Sequence, residues 1–265
     1  MTLRQPRFIV LIALLATVVA ACGGGTAGPV LTDPTEIITA ALKSSEAATS
    51  VHVDVAVDGV VPVPLPGGTT STPVDLTGTT ASVDADLANS EARVTFAVPA
   101  VLGLAGELIQ ADGTTYLKTT LTGSKFKVVE GGGASLPIDP TDPGAIIDNL
   151  GDFLLGAGVD PVKGEDVSCG GGTCYTVVVD LDATELADLV GDAAASLPVD
   201  IAGATLKVTL KVEQNLPNHL AGVIIEIGLP GDETVKAELT FSKWDQSVTI
   251  EAPAASARAT CGRTA

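Results

Sequence analysis

Short runs of alternating apolar and polar residues dominate the chain from residue 50 onward. In one of them, Val51, Val53, Val55 and Val57 are separated by polar or small residues. A period of two predicts strands that have one apolar and one polar face. We predict further strands from the runs at 83–87, 92–98, 102–110, 114–118, 125–129, 159–168, 175–181, 206–213, 223–227, 235–241 and 248–250.

Three segments repeat their apolar residues every three or four positions, which predicts helices. The first starts at residues 32–36, where Thr32 or Asp33 can cap the helix and Pro34 fits its first turn, and it extends to about Ala48. The second helix contains residues 146–154, and the third covers 182–197. Residues 59–77 are rich in Pro and Gly and cannot form a central strand.

Strands outnumber helices and do not alternate with them, so the chain is α+β with an antiparallel sheet that has one apolar face. Three short helices would cover one face of a curved sheet incompletely. Aromatic residues make up only 3% of the sequence, so few bulky rings are present to fill the remaining space. Two interpretations stay open at this point: an apolar void between sheet and helices, or a tightly packed core of Val and Leu.

Composition narrows the classes of function. The 265 residues include 14 Lys and Arg against 32 Asp and Glu, which gives a net charge of −18. Nucleic acid is excluded as a partner because binding phosphate needs a basic surface. Two His residues cannot build a multi-histidine metal centre, and we expect neither a metal nor a cofactor.

The N-terminus has the pattern of a bacterial lipoprotein signal. Residues 1–21 combine Arg4 and Arg7 with an apolar stretch, and the small residues at 19–21 precede Cys22. We predict cleavage before Cys22, lipidation of its thiol and a flexible tether at 22–32. The alternative is an ordinary secretory signal that happens to precede a cysteine. In the first interpretation the protein is anchored on the extracytoplasmic side of the cell membrane.

Export permits disulfides, and Cys169 and Cys174 flank a glycine-rich turn between two predicted strands. A tight hairpin would bring them to bridging distance, so we predict a structural disulfide. Cys261 is then left over, either as a free thiol or for intermolecular pairing. The sequence contains no nucleophile elbow, zinc-protease motif or phosphate-binding loop, and we expect His52 and His219 to be surface residues rather than bases. We therefore predict no catalytic residues and no enzymatic activity.

Several short motifs resemble the mycobacterial-type LppX/LprAFG envelope lipoproteins. They are Cys22 after the signal, Ala41-Leu42-Lys43 ending the first helix, the Pro-rich stretch at 59–66, and Leu239 to Trp244 followed by Val248-Thr249-Ile250. The resemblance implies a half-barrel antiparallel sheet of about ten strands with helices on its concave face, similar to the LolA and LolB carriers. It also implies a cavity that holds acylated lipids or glycolipids and moves them outward through the envelope.

These inferences predict a single lipid-binding domain at 33–252 and a loose tail at 253–265. We expect a monomer whose partners are a lipid, the membrane and an export protein of the envelope. The alternative function is an anchored surface lipoprotein with a filled core that acts through protein partners. The candidate cavity residues are the apolar members of the strands and helices: Val55, Val57, Val94, Phe96, Leu104, Leu108, Ile147, Leu150, Leu154, Leu186 and Leu189.

Overall fold

The computed structural model of the protein describes residues 28–64, 71–129, 151, 153–156, 159–170, 172–190, 203–231 and 233–254. Two helices and thirteen strands lie within these ranges. The helices are α1 (Pro34–Glu46) and α2 (Ala183–Val190). The strands are β1 (Ser50–Pro64), β2 (Ser71–Asp75), β3 (Thr79–Asp86), β4 (Glu91–Val98), β5 (Leu104–Ala111), β6 (Thr114–Thr119), β7 (Lys127–Val128), β8 (Val162–Lys163), β9 (Val167–Cys169), β10 (Gly172–Leu181), β11 (Thr205–Glu213), β12 (Leu220–Leu229) and β13 (Glu233–Ser242).

Helix α1 begins where the sequence predicts it. The Asp33 carboxylate accepts a hydrogen bond of 3.0 Å from the Glu36 N–H, and Pro34 occupies the first turn, where a missing N–H costs nothing. Ile37, Ile38 and Ala41 form its buried face. The helix therefore docks on the sheet by an aliphatic stripe.

The strands form one antiparallel sheet in the order β7-β6-β5-β4-β3-β1-β13-β12-β11-β10-β8, with β2 on β1 and β9 on β10 outside this path. The path does not close, so the sheet is an open half-barrel. Turns 87–90, 112–113 and 214–219 lie at one end of the strands, which we call the proximal end. Segments 76–78, 99–103 and 120–126 lie at the opposite, distal end.

The register separates the two faces of the sheet. Residues directly opposite each other on neighbouring antiparallel strands share a face, and one such row runs through Leu210, Val223, Leu239 and Val55. Rows on either side are also aliphatic, whereas their neighbours in sequence are mostly polar. This confirms the predicted α+β class and the antiparallel sheet with one apolar face and helices upon it.

A β-hairpin arm, formed by the distal part of β1 and by β2, departs from the sheet. The Leu76 N–H donates to the Gly59 carbonyl at 2.8 Å, and alternation from this pair places Pro62 opposite Pro73 at a non-hydrogen-bonded position. Their missing N–H groups therefore cost no ladder bond. The segment is not a central strand, as predicted, but its pairing with β2 was not predicted.

Gly59 marks the point where the arm begins. Its φ is +123°, and a Cβ there would overlap the Thr234 carbonyl oxygen of β13. Only glycine fits both the backbone conformation and the close approach.

Two other predictions about the elements need correction. Strand β2 was not predicted, and the predicted strand at 159–168 forms two short strands, β8 and β9, instead of one. Val248 and Ile250 were expected to close the strand series, but residues 246–254 form no ladder. Instead Ile250 is buried against Ile109 and Tyr116, on the polar face of β5 and β6. The predicted second helix lies mostly outside the described residues, as does the third beyond residue 190.

Candidate functional site

The aliphatic face has a closed half, formed by β10, β11 and β12. Helix α1 packs directly on these strands, and Ile37, Ile38, Val177 and Val212 are fully buried. Leu154 is also fully buried in this cluster. The part of the closed half beneath α1 is therefore packed hydrophobic core.

The aliphatic face continues beyond α1 onto an open half, formed by β13, β1, β3, β4, β5 and β6. Among the described elements, α1 contacts the strands β10 to β12 and α2 the strands β10 and β11. Many apolar side chains of the open half are aligned in register across these six strands but are only partly buried. They include Val55, Val57, Ala81, Val83, Phe96, Leu104, Leu108, Leu117, Ala237 and Leu239.

Burial within the open half decreases from the proximal to the distal end. Along β1, Val51 and Val53 are buried, whereas Val55 and Val57 are partly exposed. The same change occurs on β4, where Ala92 is fully buried and Phe96 is partly exposed. The open half is thus closed at its proximal base and accessible toward the distal end.

Aromatic rings close the proximal base. The Trp244 indole stacks between the Phe241 ring at 6.0 Å and the His219 imidazole at 4.8 Å, with planes within 10° of parallel. The Trp244 Nε1 donates to the Leu220 carbonyl at 3.0 Å, which satisfies its polar edge. Trp244 packs against the closed half and against the Val51 cluster, so it links the two halves.

His219 is buried, so the expectation of a surface position is wrong. Only 7% of the residue is exposed, because it packs under Trp244 at the turn that follows β11. Burial lowers the pKa of the His219 imidazole, and the Asp245 carboxylate, 3.7 Å from Nε2, partly opposes that shift. The Nδ1 atom has no hydrogen-bond partner among the described residues. His219 is therefore a buried member of the aromatic stack, with the Asp245 carboxylate beside its Nε2.

Phe96 lies across Gly106 on the open half. A Cβ at Gly106 would be 2.6 Å from Phe96 Cζ and 2.6 Å from the Lys118 carbonyl oxygen. Gly106 therefore provides the space that the ring occupies beside β5. The ring is the largest apolar group in the central part of the open half.

The structure places the predicted cavity residues in three groups. Val55, Val57, Val94, Phe96, Leu104 and Leu108 share the open half, and of these Val94 is buried at 6% exposure. Leu154 and Leu186 are buried in the closed-half cluster. Ile147, Leu150 and the side chain of Leu189 lie outside the described part of the chain. The alternation of the strands was sufficient to find the first group, and that its members line a lipid cavity stays a prediction.

An open groove of about 550 Å³ lies on the opposite, polar face, across β13, β1, β3 and β4. Thr80, Ser82 and Thr95 line it together with the carboxylates of Asp54 and Glu238. Ala56 and Ala97 of the same face also line it, together with Val55, Ala81 and Phe96, so the lining mixes polar and apolar groups.

His52 lies on the polar face of β1, with its side chain 15% exposed. Its Nδ1 is 2.6 Å from Asp84 Oδ1, and its Nε2 is 3.3 Å from Asp54 Oδ2. Among the described residues, no group of three or more His, Cys, Asp or Glu side chains is arranged to hold a metal ion.

The predicted disulfide is present. Cys169 and Cys174 are bridged across the β9–β10 hairpin, with their Cα atoms 5.9 Å apart.

The first described residues of the chain lie near this hairpin. The Leu31 N–H donates to Tyr175 Oη at 3.0 Å, and Gly28 lies against Leu216. The described N-terminal segment is therefore held at the proximal end. None of the helices in the described ranges is long and apolar enough to cross a membrane.

Comparison with solved structures identifies the fold. The chain is 21% identical to LprF from Mycobacterium bovis, with a TM-score of 0.51 over 83% of this chain and 96% of LprF. The Mycobacterium tuberculosis lipoprotein LppX is 19% identical, with a TM-score of 0.39 over 83% of this chain and all of LppX. A LolA superfamily protein from Nitrosomonas europaea is 12% identical, with a TM-score of 0.28 over 81% of this chain and 93% of that protein.

The structural similarity to LprF confirms the predicted fold, an LppX/LprF-like half-barrel. No protein-family model matches the sequence, and no curated protein matches it.

Proposed function

We propose that the protein is a lipid-anchored envelope lipoprotein that binds acyl chains on the open half and carries or presents them between envelope layers. The observation that carries this proposal is the continuation of the aliphatic face beyond α1, where its side chains are aligned but only partly buried. A contiguous apolar surface of this kind on a folded protein is typical of a binding site.

The energetics suit a reversible carrier. Burying one methylene from water gains about 0.8 kcal/mol, so an acyl chain strongly prefers such a surface to water. A bilayer is as apolar as the pocket, and transfer between them is therefore nearly neutral. A lipid can then enter and leave without catalysis, and the aliphatic residues of the open half suffice as a binding surface.

The anchor would hold the protein where lipids are exchanged. Lipidation of Cys22 with at least two acyl chains would give stable attachment on the extracytoplasmic side of the cell membrane. Mass spectrometry of the N-terminal peptide tests this part directly, since a diacylglyceryl thioether on Cys22 supports the anchor. An unmodified N-terminus at a residue other than Cys22 would overturn the proposed lipid anchor. It would not affect the proposal that the open half binds lipid.

Lipid binding is tested by native mass spectrometry of the purified protein with and without added glycolipid. The decisive variant is Val57→Trp, because Val57 lies between Ala237 and Thr79 in the accessible part of the open half. The added indole would occupy space that we assign to an acyl chain. The matched control is Thr95→Trp, since Thr95 is exposed on the polar face beside Phe96.

We expect lipid adducts with the unmodified protein and with Thr95→Trp, and at least a fivefold smaller bound fraction with Val57→Trp at unchanged stability. An absence of lipid in all three proteins would overturn the proposal. It would favour the alternative, an anchored surface lipoprotein with a filled core that acts through protein partners.

A further inference from the structure

Exposed apolar side chains cluster at the distal end of the sheet, outside the open half. Leu102 is 90% exposed and Val101 46% exposed in the turn between β4 and β5, and Leu121 is 61% exposed in the turn after β6. The two turns are neighbours, because the Thr120 N–H donates to the Ala105 carbonyl at 2.8 Å. We call residues 99–103 and 120–123 the distal tip.

The turns of the distal tip are ordered by their own hydrogen bonds. In the first turn, the Val101 N–H donates to the Val98 carbonyl at 3.1 Å, and the Leu104 N–H to the Val101 carbonyl at 2.8 Å. In the second, the Thr122 N–H donates to the Thr119 hydroxyl at 3.1 Å, and the hydroxyls of the two residues are 2.9 Å apart. The leucines are thus presented on fixed backbone rather than on loose loops.

Leu102 is held in an unfavourable conformation for its residue type. Its φ is +51°, a left-handed backbone region that Gly, Asn and Asp occupy at lower cost. A leucine that is almost fully exposed there gains nothing from folding. Both facts are accounted for if its side chain has an apolar partner outside this chain.

The charge around the distal tip differs from that of the whole protein. The full chain carries −18, but residues 113–129 contain three Lys and no Asp or Glu. Lys118 pairs with Glu107 at 2.8 Å, whereas Lys125 and Lys127 are exposed in the segment that follows the second turn. Exposed leucines flanked by lysines match the boundary between acyl chains and anionic headgroups.

The distal tip lies next to the open half and far from the N-terminal segment. It adjoins the accessible end of the open half, because Val98 and Leu104 of that face flank the first turn directly. It lies at the end of the sheet opposite to Leu31, whose hydrogen bond to Tyr175 holds the N-terminal segment. A chain anchored at the proximal end would therefore direct its distal tip away from the anchor.

We propose that the distal tip inserts Leu102 and Leu121 into the surface of a second, anionic bilayer, opposite the one that holds the lipid anchor. This inference rests on the proposed function and deepens it, since it names the surface with which bound lipid is exchanged. The contact places the accessible end of the open half against the acyl chains of that bilayer. Lys125 and Lys127 contribute attraction to its headgroups.

The test is a tethering assay with the full lipidated protein reconstituted in donor vesicles. Acceptor vesicles of phosphatidylcholine, with or without phosphatidylglycerol, are added, and their capture is followed by fluorescence. The main variant is Leu102→Asn with Leu121→Asn, because Asn suits the φ of residue 102 and keeps the fold. The matched control is Val162→Thr, which removes an apolar side chain that is 64% exposed on edge strand β8.

We expect the double variant to capture acceptor vesicles about tenfold less well than the parent, and Val162→Thr to match the parent. Lys125→Gln with Lys127→Gln should weaken capture of anionic vesicles about fivefold per lysine and leave capture of neutral vesicles unchanged. Equal capture by the parent and the double variant overturns the inference, as does binding to a protein partner with no capture of vesicles.

The same preparations separate this inference from the proposed function. Lipid adducts in native mass spectrometry report occupancy of the open half and do not depend on tethering. Adducts without tip-dependent capture would overturn the distal contact alone. An absence of adducts would overturn the proposed function, even if the distal tip captures vesicles.

Discussion

The His219 imidazole stacks beneath the Trp244 indole, with ring centroids 4.8 Å apart and planes 8° from parallel. Trp244 is the only tryptophan in the sequence, and it lies at the closed base of the open half. The pair therefore joins a titratable group to a fluorophore at the point where the two halves of the aliphatic face meet.

The protonation of His219 should make stability depend on pH. Burial lowers its pKa below the ordinary value of 6.5, so the unfolded chain binds the proton more tightly than the folded protein. The stabilising contribution is complete above pH 6.5 and is lost as the pH falls below it. We expect the free energy of unfolding, measured with urea and Trp244 fluorescence, to fall by at most about 1.4 kcal/mol per pH unit in that window.

The control for this prediction is His219→Phe. The phenyl ring preserves the stack on Trp244 and removes the unpaired Nδ1, so stability at neutral pH should be unchanged or higher. The decrease below pH 6.5 should become shallower in the variant. Retention of the full pH slope in His219→Phe would assign the dependence to another group.

A Leu→Ala substitution should lower the free energy of unfolding more in the closed half than in the open half. Leu210 is 1% exposed under α1, and Leu210→Ala should lower the free energy of unfolding by about 2–5 kcal/mol. Leu108 is partly exposed on β5, and Leu108→Ala should cost about 1 kcal/mol or less but reduce the lipid-bound fraction. Urea unfolding and native mass spectrometry on both variants check this. Similar stability losses would mean that the two halves are packed alike.

Strand parity was predictable from the sequence, because alternation alone decides which residues share a face. Val55, Phe96 and Leu108 were assigned to the apolar face in this way, and the register places them there. The start of α1 was equally predictable from Asp33 and Pro34, whose effects are local.

Features that depend on distant contacts could not be predicted. The burial of His219 results from its stack on Trp244, which is 25 residues away in the sequence, and the burial of Ile250 results from contact with β5 and β6. The exposure of Leu102 is likewise invisible in a hydropathy pattern, since the same residues could equally have been strand. Local periodicity identifies the elements, whereas burial depends on which elements meet.

Because Phe96 lies against Gly106, a single methyl group added at residue 106 should lower the free energy of unfolding. Gly106→Ala would place its Cβ 2.6 Å from Phe96 Cζ and from the Lys118 backbone, and we expect a loss of about 1–3 kcal/mol in the free energy of unfolding. Gly172→Ala is the control, because its Cβ would meet no atom closer than 3.6 Å. Phe96→Leu should recover part of the loss when combined with Gly106→Ala. Purely additive effects would contradict the contact.

We predict that the disulfide contributes measurably to the free energy of unfolding, although the loop that it closes is very short. Replacing Cys169 and Cys174 by Ser should lower the free energy of unfolding by about 2 kcal/mol, since the bridge restricts the unfolded chain across only a few residues. Urea unfolding with and without reductant measures this, and reductant should destabilise the parent but not the serine variant. The lipid-bound fraction should not change, because Cys174 lies on the polar face of β10. A loss of bound lipid at full stability would instead connect the hairpin to the open half.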